Sequence, residues 1–361
     1  LIRVNLQSQK DMEIKKDIRA LTKDQIKEHF VAIGDKAFRG QQVHEWLWKK
    51  GAKDFDEMTN LSLELRTHLK ANFAINHIRV DEMQRSSDGT IKNAVQLHDG
   101  KIVESVLIPT EKRITACVSS QVGCSLDCHF CATAQLKRMR NLNPDEIYDQ
   151  VVAIKNEAEE FYQRPLTNIV FMGMGEPLMN YKNVLEAIDK ITSEEGLGMS
   201  PKRITVSTVG LAKMIKKMAD DEVKFNLAVS LHSARDSVRD SIMPINLKNP
   251  LNQLLESLEY WYLKTKKRVT YEYVVWKGIN DQKEDIDALV KFCKRVPSKV
   301  NLIEYNPIDE GEFQQADPQV LQEYIKALSA HGIIAKVRIS RGKDIDAACG
   351  QLANKNELST T

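Results

Sequence analysis

Residues 167–208 read TNIVFMGMGEPLMNYKNVLEAIDKITSEEGLGMSPKRITVST. TNIVFM is a short run rich in β-formers. YKNVLEAIDKIT repeats its apolar residues at helical spacing, and RITVST is a second β-forming run. Strand, helix and strand joined by short turns make a unit whose two strands are parallel. The alternation continues on both sides. KFNLAVSL, RVTYEYVV, KVNLIEY and AKVRIS read as strands; PDEIYDQVVAIKNEAEEF, LAKMIKKMA, LNQLLESLEYWYLK, KEDIDALVKFCKRV and DPQVLQEYIKALSAHG read as helices. Six or so such units predict an α/β fold, a partial (β/α)6 barrel. Chemistry in such a fold sits in the loops at the C-terminal ends of the strands.

Upstream the pattern differs. HIRVDEMQRSSDGTIKNAVQLHDGKIVESVLIPT predicts three strands, with Asp-Gly turns in SDGT and HDGK. ITACVSS adds a fourth β-forming run. The first 75 or so residues read as helical: LTKDQIKEHFVAIG has Thr22 near its N-cap and ends at Gly34, QQVHEWLWKKG ends at Gly51, and LSLELRTHLKANF spaces Leu61, Leu65 and Leu69 on one face. The expected divisions are 1–75, helical; 76–110, a β-hairpin extension; 111–345, the barrel; and 346–361, a C-terminal loop and tail.

The 361 residues are 42% hydrophobic and 28% charged, which excludes a disordered chain and a disulfide miniprotein. Charges interrupt every apolar run, so no membrane span is expected. LIRVNLQSQKDMEIKK has no apolar core of the kind a secretory signal carries, and a cytoplasmic location is expected. The net charge of +2 means that a nucleic-acid partner would have to meet a local basic surface. Lys137-Arg138-Met139-Arg140 and Lys202-Arg203 are such clusters, although each is as readily a solvated face. Residues 1–80 hold 15 Lys and Arg against 11 Asp and Glu, a weak basic excess.

Four of the six cysteines, Cys117, Cys124, Cys128 and Cys131, fall within fifteen residues. In a reducing compartment such clustering points to metal or redox chemistry. Cys124, Cys128 and Cys131 form a CxxxCxxC spacing directly after a strand. Three thiolates do not complete a tetrahedral zinc site; they do hold three irons of a [4Fe–4S] cluster and leave the fourth open. His129 is the alternative, as a fourth ligand to zinc. Cys293, in KFCKRV, reads as a helical cysteine without a role.

The CxxxCxxC spacing resembles that of the radical S-adenosylmethionine superfamily, whose fold is a partial (β/α) barrel. The resemblance implies one [4Fe–4S] cluster on Cys124, Cys128 and Cys131, with S-adenosylmethionine on the open iron. Phe130 matches the aromatic commonly found before the last ligand. Within that setting Met172-Gly173-Met174-Gly175-Glu176-Pro177 acquires a meaning: small residues let backbone approach a ligand, and Glu176 can accept from an ammonium. Ser207, Ser230, Leu231, His232 and Asn306 lie at later strand ends and are candidate contacts to the same molecule.

CVSSQVGCSLDCHFCATA, FMGMGEPLMNY, AVSLHS, RDSIMPIN, NLIEYNP and DIDAACGQL together are similar to the RlmN/Cfr family of RNA methyltransferases, over nearly the whole chain. Pro177 and Val122 lean toward its RlmN branch, where Cfr-like proteins tend to carry Ala and Cys. LKRMRNL and SARDSVRD depart from the usual family pattern. The resemblance implies methylation at carbon 2 of adenine in 23S rRNA and in tRNA, with two molecules of S-adenosylmethionine per turnover. It implies Cys349 as the S-methylcysteine intermediate, Cys117 as its resolving partner in a transient disulfide, and Glu104 as proton acceptor. It also implies RNA binding by the helical N-terminal part, a small electron-transfer protein such as flavodoxin as reductant, and a monomer. Read without the resemblance, Glu104 is a strand-edge glutamate facing solvent. Methylation at carbon 8 is the competing reading. An iron–sulfur or zinc RNA-binding protein without catalysis is a third, which leaves the extra thiols unexplained.

Overall fold

The computed structural model describes residues 15–309 and 311–354; most of the N-terminal stretch read for a secretory signal, and the tail after residue 354, lie outside them. The described residues form two units. The first ends at His77 and includes Lys190–Gly198; the second takes Ile78–Asp189 and the chain from Met199.

The first unit is helical. Helix α1 (Lys23–Ala32) starts at Thr22, whose hydroxyl accepts the Gln25 N–H while the Gln25 side chain accepts the Thr22 N–H. This reciprocal pair satisfies donors that the first turn leaves without partners. Helix α2 (Phe38–Glu45) continues through the wider turn Trp46–Lys50 and stops at Gly51, which has a φ of 70°. Helix α3 (Leu63–Asn72) is capped by Ser62. Leu61 and Leu69 are buried and Leu65 is half-buried. Gly40 lets α2 lie against α1: a Cβ there would stand 2.6 Å from the Lys27 backbone nitrogen.

The second unit is built on one ten-stranded sheet, whose strands pair in chain order. They are β1 (Arg79–Arg85), β2 (Ile91–Gln96), β3 (Ile102–Pro109), β4 (Ile114–Cys117), β5 (Asn168–Phe171), β6 (Ile204–Thr208), β7 (Asn226–Ser230), β8 (Val269–Val275), β9 (Ser298–Glu304) and β10 (Ile334–Arg338). β1 to β4 are antiparallel and β4 to β10 are parallel. The extension therefore continues the sheet rather than standing apart from it. Gly89 and Gly100 close its hairpins with φ of 87° and 78°, donating to the carbonyls of Ser86 and Leu97. Helices follow each parallel strand up to β9: a short α4 (Ala132–Gln135), then α5 (Pro144–Tyr162), α6 (Tyr181–Thr192), α7 (Ala212–Asp220), α8 (Asp236–Ile242), α9 (Leu251–Thr265), α10 (Lys283–Cys293) and α11 (Pro318–Ala330).

These make the six expected β/α units, followed by a seventh parallel strand. With right-handed crossovers, an order that never reverses puts the covering helices on one face and curls the other inward. Among the described residues no ladder joins β10 to β1, so the sheet is open. Strand β8 is buried along its whole length, as expected of a strand covered on both faces. Helix α8 was not legible as a helix, because SARDSVRD is rich in Ser and Asp; its buried face consists of Arg239 and Ile242, three residues apart.

At Gly40 the atoms met are backbone and cannot rotate away. Gly40→Ala should therefore destabilise the first unit by about 1–3 kcal/mol in urea unfolding followed by far-ultraviolet circular dichroism.

Candidate active site

The parallel strands deliver their C-terminal ends to one pocket. Its empty volume, mouth included, is about 1080 Å³. After β4 the chain forms a loop closed by pairing Gln121–Val122 with Arg140–Asn141. Gly123 has a φ of 72°, and a Cβ there would stand 2.4 Å from the Lys137 carbonyl oxygen. The Cys124 N–H donates to the Leu136 carbonyl (3.2 Å) and the His129 N–H to the Ile242 carbonyl (3.1 Å). So held, Cys124, Cys128 and Cys131 all line the pocket. Burial raises all three thiols, Cys124 to about 11, and Cys128 is raised further by both neighbours. Phe130 lines the same wall and stacks edge-on against His232, with ring centroids 4.8 Å apart. His129 is exposed and is not part of the lining, which removes it as a fourth ligand to zinc.

Two glycines after β5 lie against the start of the cysteine loop and line the same pocket. A Cβ at Gly173 would stand 2.8 Å from Val118 backbone atoms, and one at Gly175, whose φ is 91°, would stand 2.5 Å from Gln121 Cβ. No side chain fits at either position. Glu176 is buried, and its carboxylate accepts from the N–H of Leu178 (3.0 Å) and of Val209 (2.9 Å). Burial nevertheless pushes it up to about 7, against the lowering effect of those bonds. Ser207, Ser230, His232 and Asn306 join the lining from the ends of β6, β7 and β9. His232 has a φ of 57°, and its Nδ1 accepts the Val274 N–H at 3.1 Å. Burial, with Arg239 adding to it, pushes the ring down to about 3, so it is neutral and carries its proton on Nε2. Asn306 donates to the Cys349 carbonyl (3.3 Å), while its Oδ1 is buried without a protein partner.

Three candidates lie outside the lining. Leu231 is buried, and its backbone takes part instead: the N–H donates to Glu272 O (3.0 Å) and the carbonyl accepts from Arg239 Nε (3.0 Å). Cys117 is buried on β4, and burial pushes its thiol up to about 12; Cys349 adds to the rise and Arg338 opposes it. Glu104 is 1% exposed and not solvated, because β3 is an interior strand. It is paired with Lys92 at 3.3 Å and accepts the N–H of Ala353 (2.7 Å) and Asn354 (3.1 Å). Cys349 itself lines the pocket, and all six cysteines are free thiols.

Two arginines had no sequence-based assignment. Arg239 is fully buried and ties together the ends of β6 and β7: Nε to Leu231 O, Nη2 to Val209 O (2.5 Å) and Nη1 to Asn246 Oδ1 (2.5 Å). Its spacing of three and four residues from the buried Ile242 and Met243 is a signal that would have marked it as inward-facing. Arg338, at the end of β10, is held by Glu272 at 3.3 Å, and Asn301 fixes that carboxylate at 2.7 Å. Its charge is reinforced most strongly by Cys349, and also by Glu272 and Cys117.

The family description "Ribosomal RNA large subunit methyltransferase N-terminal domain" matches residues 16–75, and "Radical SAM superfamily" matches residues 118–293. Proteins described as probable dual-specificity RNA methyltransferase RlmN in Flavobacterium psychrophilum and Flavobacterium johnsoniae are 74% and 71% identical to this chain. Each alignment runs over 341 residues and covers 94% of this chain and 98% of the relative. The chain belongs to the RlmN family. A crystal structure of a radical SAM methyltransferase from Sphaerobacter thermophilus is also similar, with a TM-score of 0.87 and 38% identity over 93% of this chain and 99% of that one.

Membership of the radical SAM superfamily implies a [4Fe–4S] cluster and S-adenosylmethionine. The residues fit both. Among the described residues no three His, Cys, Asp or Glu side chains could hold a single metal ion, yet three thiols line one cavity, a donor set suited to a multi-iron group. Glu176 is a buried carboxylate with only backbone and hydroxyl donors around it, and Asn306 Oδ1 is an open acceptor; both suit the ammonium and hydroxyl groups of S-adenosylmethionine.

Arg239→Met would strip charged donors from the carbonyls of Leu231 and Val209. It should lower stability by about 3 kcal/mol in chemical denaturation.

Proposed function

We propose that this RlmN-family chain methylates carbon 2 of an adenine in ribosomal RNA and in tRNA, through a methyl relay on Cys349. The observation that carries the reading is the meeting of four thiols: Cys349 lines the same cavity as Cys124, Cys128 and Cys131. Three thiols suffice for a cluster, and the fourth is left for chemistry.

Carbon 2 of adenine is electron-poor, so it does not displace a methyl group from a sulfonium. Bound in the pocket, the cluster and S-adenosylmethionine supply a methyl group and a carbon radical able to take a hydrogen atom. The protein's part starts at the Cys349 sulfur, which accepts the methyl group and then gives up one of its hydrogen atoms. The sulfur-bound carbon adds to carbon 2, joining enzyme and RNA, and the adduct then gives up the ring proton and one electron, for which the bound cluster would be the acceptor. Cys117 gives up its thiol proton, matching the one that the released carbon takes up, and attacks the Cys349 sulfur. A sulfur–sulfur bond forms, the carbon–sulfur bond breaks, and its electron pair goes to the carbon, which takes up a proton as the methyl product. Two thiols are oxidised to the disulfide, and a reductant must restore them. Arg338 opposes the rise that burial imposes on the Cys117 thiol. Glu104 is assigned to accept the ring proton; it first has to release the N–H groups of Ala353 and Asn354.

Two molecules of S-adenosylmethionine serve each turnover, one as methyl donor and one as radical source. Of the basic cluster after the cysteine loop, Lys137 and Arg138 are exposed, whereas Arg140 is committed to Asp99 (2.8 Å) and Glu146 (2.7 Å). Lys137 and Arg138 are offered to the phosphate backbone; Lys202 and Arg203 are exposed as well but precede β6, at the end of the strand away from the pocket. The reading includes a monomer in the cytoplasm, reduced by a small electron-transfer protein such as flavodoxin. No helix among the described residues is long and apolar enough to cross a membrane.

The chain reconstituted anaerobically with iron and sulfide, then given S-adenosylmethionine, reductant and an rRNA fragment, should yield 2-methyladenosine on digestion and mass analysis. Unchanged adenosine or 8-methyladenosine would contradict the proposal. A variant with Cys124, Cys128 and Cys131 all replaced by Ala should bind no iron; retention of iron would remove those residues as ligands.

A further inference from the structure

The Cys349 loop is tied at both ends to the antiparallel extension. Upstream, Asp344 accepts from Ser86 Oγ (2.5 Å) and the Ser87 N–H (3.0 Å), and Asp88 accepts the Gly342 N–H (3.0 Å). Ser86, Ser87 and Asp88 form the turn between β1 and β2. Gly342 has a φ of 67°, and a Cβ there would stand 2.7 Å from Ala347 and 2.9 Å from Thr90, so loop and turn are in close contact. Downstream, Glu104 takes the N–H groups of Ala353 and Asn354, and the Asn354 amide donates to the Ile102 carbonyl at 2.7 Å.

The downstream anchor is set by strand register. Lys92 pairs with Val106 and Ala94 with Glu104, so Lys92 and Glu104 are diagonal neighbours on one face of the β2–β3 ladder. Both are buried, and the ammonium meets one carboxylate oxygen while the other receives the chain. A buried carboxylate without its cation is costly, so Lys92 is the partner that lets Glu104 sit inside the sheet and hold the two N–H groups.

We propose that the β1–β3 extension is a bracket for the Cys349 loop, and that Lys92 and the Ser86–Asp88 turn are positioning residues for it. Its functional meaning rests on Cys349 being the methyl carrier. The bracket fixes the loop on both sides of Cys349, which limits how far the thiol travels between the pocket and the RNA. It also makes Glu104 available as a base only when the downstream anchor opens.

The test is hydrogen–deuterium exchange of the reconstituted full chain, read by mass spectrometry. Peptides covering residues 346–354 should exchange at least about tenfold faster in Lys92→Met and in Glu104→Gln, since a hydrogen bond to a charged group is worth about a factor of ten or more. Peptides of β5 and β9 should keep wild-type protection. Lys92→Arg, which restores the charge, should bring exchange back toward wild type. Asp344→Asn should loosen residues 342–348 instead. If the charge variants do not fold, Ala353→Pro removes one donor and leaves both charges; it should show the same acceleration. Wild-type exchange of 346–354 in the folded variants would overturn the bracket. Accelerated exchange in the variants, with no adenine methylation by the wild-type chain, would sustain the bracket and sink the methyl relay. Unchanged exchange in the variants, with normal methylation by the wild-type chain, would do the reverse.

Discussion

Seven parallel strands laid down in chain order carry every one of their C-terminal ends to the same mouth, and the chemistry of this chain depends on that constraint. Residues separated by more than two hundred positions, Cys124 and Cys349 among them, meet because the strands before them share one direction. A doubly wound order would have split the same loops around a crevice at its reversal point. Here nothing reverses, so the cysteine loop after β4, the glycines after β5 and the polar residues after β6, β7 and β9 converge on one cavity.

Such convergence buries polar groups, and the structure neutralises or partners them individually. His232 is neutral, with Nδ1 occupied by a backbone donor. Arg239 spends its guanidinium on two strand-end carbonyls and Asn246. Lys92 and Glu104 neutralise each other while the carboxylate also holds backbone. Glu176 and Asn306 differ from these: each keeps acceptor capacity on the pocket wall, where a ligand bearing donors would complete it.

The β/α alternation was legible because each strand and helix has its own periodicity, and the cysteine spacing because it is local. What escaped was non-local. Glu104 looks solvated in VESVLIP, since nothing in that heptapeptide says that β3 has a neighbour on each side. Arg338 on β10 and Glu272 on β8 stand on either side of β9 in the sheet but lie 66 positions apart. Leu231 was grouped with Ser230 and His232 as a ligand contact. In an extended chain adjacent residues face opposite ways, so Ser230 lines the pocket and Leu231 turns into the core. The left-handed backbone of His232 and the polar composition of α8 gave no signal of their own.

The central claim is that Cys349 carries carbon to the RNA and Cys117 releases it. The direct measurement is a denaturing gel of the reconstituted protein after reaction with RNA, comparing Cys117→Ala with Cys349→Ala. The account predicts a protein–RNA species that accumulates in Cys117→Ala, where the carbon–sulfur bond has no thiol to cleave it, and none in Cys349→Ala. Normal turnover by Cys117→Ala, or equal trapping by Cys349→Ala, would contradict it.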